Sequence, residues 1–126
     1  MVTIRPNSKS RVRVDLPPSV NNLFATVGRK RVKTKAYREW LADAVAALVE
    51  LRKPKTFPVG VVVWVCGKMR SDRDLDNLLK PLGDSLVAAG VLPGDSVKHV
   101  RRWRVEYAED AEEPGVDVFV SLEEAW

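Results

Sequence analysis

The segment Arg70-Ser71-Asp72-Arg73-Asp74-Leu75-Asp76-Asn77-Leu78-Leu79-Lys80 places carboxylates at alternate positions among cations. Carboxylates crowded together repel unless a cation neutralises them, and hard divalent cations prefer oxygen ligands. Such a nest, ringed by Arg70, Arg73 and Lys80, is poorly suited to binding nucleic acid by charge alone. It suits metal-dependent hydrolysis of a phosphodiester. Three aspartates and one phosphate supply about −4 charges, which two Mg²⁺ at about +4 would balance. Asp95, in Leu92-Pro93-Gly94-Asp95-Ser96, is the candidate third ligand beside Asp74 and Asp76. Asp72, Asn77 and Asp84 are candidates for supporting positions. The chain offers no Ser/His/Asp triad, and its single histidine, His99, reads as a strand residue with an ordinary hydrogen bond. A metal-activated water is therefore the expected nucleophile. Lys80 would stabilise the charge developing on phosphorus or orient that water.

Plainer readings compete for the same residues. Asp74 could be a helix N-cap and Asp76 a first-turn carboxylate favoured by the helix dipole. Asp76, Lys80 and Asp84 could form an exposed ladder of ion pairs. At about 100° per residue, Lys80 falls roughly 40° and Asp84 roughly 80° from Asp76, while the leucine stripe centres near 250°. The three polar residues thus share one side, away from the core. Pro93-Gly94-Asp95 is also an ordinary turn sequence. The density of acids inside a basic setting favours chemistry over these.

Charge is strongly partitioned along the chain. The net +4 resolves into 12 basic and 4 acidic residues over 1–53, 9 and 5 over 54–104, and 0 and 8 over 105–126. The basic density peaks at Arg29, Lys30, Arg31, Lys33 and Lys35. That cluster is either a solvated loop or a grip on phosphates, together with Arg70 and Arg73. A phosphate grip would be salt-sensitive and largely blind to sequence. The acidic end segment would keep one edge away from polyanions.

The elements that must position these residues follow from periodicity. Arg11–Leu16 alternates as a half-buried strand and is stopped by Pro17-Pro18. A long loop carrying the basic cluster follows. Thr34 is a plausible N-cap for a helix whose stripe is Tyr37, Trp40, Leu41, Ala44, Val45 and Leu48, ending near Arg52–Pro54. Val59–Cys66 is apolar at both parities, as in a strand covered on both faces. Leu75, Leu78, Leu79, Leu82, Leu86 and Ala89 form a second helical stripe closed by Gly90. Val97–Tyr107 and Val116–Leu122 read as a hairpin around Glu112-Glu113-Pro114-Gly115. The expected fold is α+β: a two-layer sandwich of one mixed sheet with two helices on one face, in the order β-α-β-α-β-β.

At 126 residues this is one domain over 1–126, with 1–10 expected as a flexible basic segment. No apolar run is long enough to span a membrane, and the polar, basic start excludes a secretory signal. Cys66 has no second cysteine to pair with and reads as a buried thiol. One Cys and one His cannot supply a structural zinc site.

The residues resemble the RusA family of Holliday-junction resolvases, the crossover-junction endodeoxyribonucleases. The resemblance rests on Asp74-Leu75-Asp76-Asn77-Leu78-Leu79-Lys80, then Asp84, Ala89-Gly90-Val91 and Asp95-Ser96-Val97, with Pro17-Pro18-Ser19-Val20-Asn21-Asn22 upstream. It covers roughly Val12 to Val120. It implies a homodimeric α+β nuclease that uses Mg²⁺, with Mn²⁺ as a substitute, to cut four-way DNA junctions symmetrically, in a cytoplasmic bacterial or phage context. It places Asp74, Asp76 and Asp95 on the family's essential aspartates, Lys80 on its functional lysine and Asp84 on a recurrent acid. Two departures stand out. Gly94 occupies a position where many members carry another aspartate, and Pro81 lies inside the expected helix, where it should kink it or mark the end of its first turn.

Two other classes remain to be separated from this one. A non-catalytic basic DNA-binding dimer would bind without metal and never cut. A glycosyltransferase could hold a metal–nucleotide sugar on a DxD pair, but the chain is short for one and lacks a Rossmann glycine fingerprint. Within the nuclease reading, helix length matters. Asp76 to Gly90 covers about 21 Å of helix, while Gly90 to Asp95 returns at most ~17 Å. Asp95 or Lys80 could therefore serve its own subunit's site or a partner's.

Overall fold

In the computed structural model, residues 11–67, 69, 74–108 and 116–124 are described. Residues 1–10, Arg70, Asp72, Arg73 and Glu112 to Gly115 lie outside them. In chain order the elements are β1 (Arg11–Val14), β2 (Phe24–Val27), β3 (Lys30–Lys33), α1 (Lys35–Leu48), β4 (Val59–Gly67), α2 (Leu79–Ala88), β5 (Val100–Ala108) and β6 (Val116–Glu124). Short 3₁₀ turns occupy Val20–Asn22 and Leu75–Leu78.

The main sheet is mixed and four-stranded, in the order β1-β6-β4-β5. β4 runs parallel to β5 and antiparallel to β6, and β6 runs antiparallel to β1. The α+β class and the mixed sheet are as expected. The reason β4 is central is its composition. Val61, Val63 and Val65 are buried in the core, while Val62 is buried on the opposite face, outside that core cluster. On its two edges β4 pairs with β5 and with β6, so it is an interior strand. This order overturns the expected hairpin: β5 and β6 do not pair, because β4 lies between them. Cys66 is half-buried rather than buried.

Helix α1 starts at the expected cap. Thr34 accepts from the Tyr37 backbone N–H at 3.1 Å. Tyr37, Trp40, Ala44 and Leu48 form its buried face, and the helix ends sooner than expected, at Leu48. Leu78, Leu82 and Leu86 are fully buried in the same core, each contributing about 1.5–3 kcal/mol of apolar burial. α2 closes in a Schellman turn. Gly90 (φ +75°) donates to Val87 O at 3.0 Å and Val91 to Leu86 O at 3.0 Å, which sends the chain back along the helix.

Two further expectations are corrected. The basic segment is a β-hairpin, β2–β3, not a loop. Val27 pairs with Lys30, and Gly28 takes φ +63° at the first position of the two-residue turn, where a primed turn needs the left-handed region. The element order therefore gains a two-stranded sheet between the first strand and the first helix. The second helix is not α-helical from Leu75. Pro81 is the third residue of α2, where its missing N–H falls among donors that lack an intrahelical partner anyway. It cannot donate to Asn77, and the turn before it winds as 3₁₀. The helix is re-wound at its start rather than kinked.

Candidate active site

The carboxylates of the DLDN segment enter α2 through that tighter turn. Asp74 is the N-cap of the 3₁₀ turn in extended conformation (φ −84°, ψ 131°), yet its side chain makes no capping hydrogen bond. Asp76 lies in the first turn and is exposed. Asn77 is half-buried. The capping alternative for Asp74 thus holds for its position but not for its carboxylate, which faces solvent. Asp72, Arg70 and Arg73 lie outside the described residues.

The expected Asp76–Lys80–Asp84 ladder is only half formed. Lys80 Nζ bonds Asp84 Oδ1 at 3.0 Å, and Asp76 has no partner among the described residues. The 3₁₀ turn explains this. It rotates each residue roughly 20° further than an α-helix does, so Asp76 is carried out of line with Lys80. The second oxygen of Asp84 accepts from the Tyr37 hydroxyl at 2.6 Å. Burial, then the hydrogen bond to Asp84 and its charge, push the Tyr37 phenol far above its ordinary value. Its hydroxyl is the donor in that bond. Nothing in the sequence signalled this partner beyond Tyr37's place in the helical stripe.

Asp95 returns to its own α2. Its Oδ2 lies 3.6 Å from where a Cβ on buried Gly83 would stand, and Trp103 closes on the same spot at 3.6 Å. A Cβ at position 83 would meet both at ordinary contact distance, whereas a longer side chain would not fit between them. Asp95 itself is exposed. The loop holding it is closed by Ser96 O, which accepts from the His99 and Val100 backbone N–H groups at 2.9 Å. His99 lies in that loop rather than in a strand, just before β5. Its ring meets Phe57 edge-on at 5.6 Å, and its Nδ1 is buried without a hydrogen-bond partner among the described residues, which corrects the ordinary bond expected of it. A Cβ at Gly94 would stand 3.2 Å from that nitrogen.

Asp74, Asp76 and Asp95 therefore flank the same helix, but no three acidic, histidine or cysteine side chains among the described residues are drawn together as a cation site. Their chemistry still fits a hard divalent ion: all are exposed carboxylates without a protein partner among the described residues.

The cations sit on the hairpin. Residues 25–31 are all exposed, with Arg29 in the turn and Lys30, Arg31 and Lys33 on β3. The base is pinned: Leu23 is buried, Thr34 Oγ1 donates to Asn22 O at 2.6 Å, and Phe24 packs edge-on to Tyr37 at 5.7 Å. The Arg31 guanidinium lies 4.3 Å above the Phe24 ring. Lys35 begins α1 and pairs with Glu39 at 3.7 Å.

A small α+β domain with solvent-facing aspartates and a lysine on one helix, beside a basic ribbon, has the parts of a phosphodiesterase acting on nucleic acid. The chain belongs to the endodeoxyribonuclease RusA family, whose model matches residues 15–121. Membership makes it an endodeoxyribonuclease of the kind that resolves Holliday junctions. No individual curated protein matches it. Among the described residues, no helix is long and apolar enough to cross a membrane.

Proposed function

We propose that this chain works as a homodimer that cuts four-way DNA junctions by paired, symmetric, Mg²⁺-dependent hydrolysis, with Mn²⁺ as a substitute. The observation that carries the reading is the state of the aspartates: Asp74, Asp76 and Asp95 flank α2 with their carboxylates exposed and committed to no protein partner among the described residues. Structural acids would be expected to hold a cap or an ion pair, as Asp84 does.

Asp74, Asp76 and Asp95 would hold the cation, which when bound supplies a more acidic water and positive charge at the scissile phosphate. Lys80, the second residue of α2, offers an N–H donor to be placed on a phosphate oxygen as charge builds there. Arg29, Lys30, Arg31 and Lys33 hold the DNA backbone without reading bases. Lys35, Arg70 and Arg73 are assigned the same task.

The test is incubation with a synthetic four-way junction, with and without Mg²⁺, against linear duplex and splayed-arm controls. Symmetric nicks on the junction that vanish on chelation are expected. Tight junction binding with no cutting under Mg²⁺ or Mn²⁺ would instead establish a non-catalytic DNA-binding dimer.

A further inference from the structure

Lys80 is tied to the core through two other side chains. Asp84 divides its carboxylate, one oxygen bonding Lys80 Nζ at 3.0 Å and the other accepting from Tyr37 at 2.6 Å. Exposure falls along the line: 59% for the Lys80 side chain, 23% for Asp84 and 0% for Tyr37. A lysine on a flexible stem has many rotamers, and an exposed i,i+4 pair alone holds it weakly. Here the acceptor is itself fixed. A buried hydroxyl without a partner is costly, and Asp84 is the acceptor it has. Tyr37 in turn has little freedom: its ring stacks on Trp40 at 6.2 Å, meets Phe24 edge-on, and its backbone N–H is capped by Thr34.

We propose that Tyr37 is a positioning residue for Lys80, acting through Asp84. The proposal rests on the junction-cutting reading above, in which Lys80 meets the phosphate. With both oxygens engaged, Asp84 serves Lys80 rather than a metal ion. Tyr37 also carries the base of the basic hairpin through Phe24. The ribbon that grips DNA and the lysine that meets the scissile phosphate are thus set from one buried ring.

The test is single-turnover cutting of a four-way junction at saturating enzyme and Mg²⁺, with junction affinity measured separately in chelator. The variants are Tyr37→Phe, Asp84→Asn, Lys80→Met, and each of the first two combined with the third. Loss of one positioning hydrogen bond should slow Tyr37→Phe about tenfold, with junction affinity unchanged within about twofold. Asp84→Asn should slow cutting at least as much, and neither change should slow Lys80→Met further. Tyr37→Phe or Asp84→Asn cutting at the parental rate while Lys80→Met is slow would overturn the proposal. Effects that multiply in the Lys80→Met background would overturn it as well, since they would show that Tyr37 acts on stability or elsewhere. Tyr37→Phe keeps the ring and its packing, so it decides the matter even if Asp84→Asn does not fold. An unmutated protein that binds the junction and cuts nothing removes the junction-cutting reading itself, a result distinct from a failure of Tyr37 alone.

Discussion

The basic hairpin makes a quantitative demand on salt dependence. Arg29 sits in its turn, Lys30 and Arg31 follow on β3, and all three are exposed. Each contact with a DNA phosphate releases condensed counterions, so log affinity falls with log salt by about 0.9 per contact. Replacing Arg29, Lys30 and Arg31 together with alanine should flatten the slope by about 2.7. Between 50 and 200 mM salt, a fourfold change, the parent should then lose about 40-fold more affinity than the triple variant. The assay is fluorescence anisotropy on an immobile four-way junction in chelator, titrated with salt. Lys35→Ala is the internal comparison. Its ammonium is assigned to a phosphate as well, and an exposed pair with Glu39 at 3.7 Å does not withhold it, so its loss alone should flatten the slope by about 0.9. Unfolding midpoints should stay close to the parent, because Leu23, Phe24 and Thr34 pin the hairpin from its base and none of them is changed. An unchanged slope in a folded triple variant would refute the phosphate-grip assignment and leave the ribbon a solvated projection.

Other consequences can be checked directly. Asp74→Asn, Asp76→Asn and Asp95→Asn should each abolish junction cutting while leaving binding intact or tighter in a gel shift, since each removes a charge that repels phosphate but keeps the shape. Gly83→Ala should add about 0.5–1 kcal/mol of helix stability, read as a rise in Tm, because its Cβ would meet Asp95 and Trp103 at ordinary contact distance. A bulkier Gly83→Leu should displace Asp95 and stop cutting. The raised Tyr37 pKa sets an alkaline limit on stability. The unfolded phenol, with its ordinary value of 10.0, ionises first, so the folded state holds the extra proton and stability falls as pH rises above that value, by about 1.4 kcal/mol per unit. Urea midpoints at pH 9 and 11 should differ less in Tyr37→Phe than in the parent.

How far the sequence reached depended on whether the deciding interaction was local. α1 was legible because Thr34 and the Tyr37–Leu48 stripe lie within one helix. β4 was legible as doubly covered, because its valines fall at both parities. The placement of β5 and β6 was not, since their nearness in sequence suggested a hairpin, whereas β4, distant in sequence from β6, lies between them. The β2–β3 ribbon does carry a local signal: Phe24–Val27 and Lys30–Lys33 flank Gly28-Arg29 at hairpin spacing. The charges there read more loudly than the alternation. At the site, spacing placed Asp74, Asp76 and Lys80 at the head of α2, but a uniform 100° wheel could not anticipate the 3₁₀ turn ahead of Pro81. The Tyr37–Asp84 bond joins residues 47 apart, and no local pattern could reveal it.

That tighter turn also bears on whether the site lies within one subunit. Had a continuous helix run from Asp76 to Gly90, Asp95 would have faced a return of about 21 Å with at most ~17 Å of chain. In the structure α2 stops at Ala88, the Schellman turn reverses the chain, and Asp95 lies over Gly83 of its own helix. From Gly83 to Asp76 the axial distance is about 12 Å, four α-helical steps and three 3₁₀ steps. The axial offset between Asp95 and Asp76 is thus about 12 Å rather than about 21 Å, and the carboxylate already flanks the helix that bears Asp76 and Lys80. We therefore expect each subunit to build its own site. Co-refolding inactive Asp76→Asn and Asp95→Asn subunits tests this. With sites inside subunits, every site in the heterodimer carries one lesion and the mixture stays inactive. With Asp95 exchanged across the two-fold, one site carries both lesions and the other none, so single-strand nicking of the junction would return and refute the single-chain site.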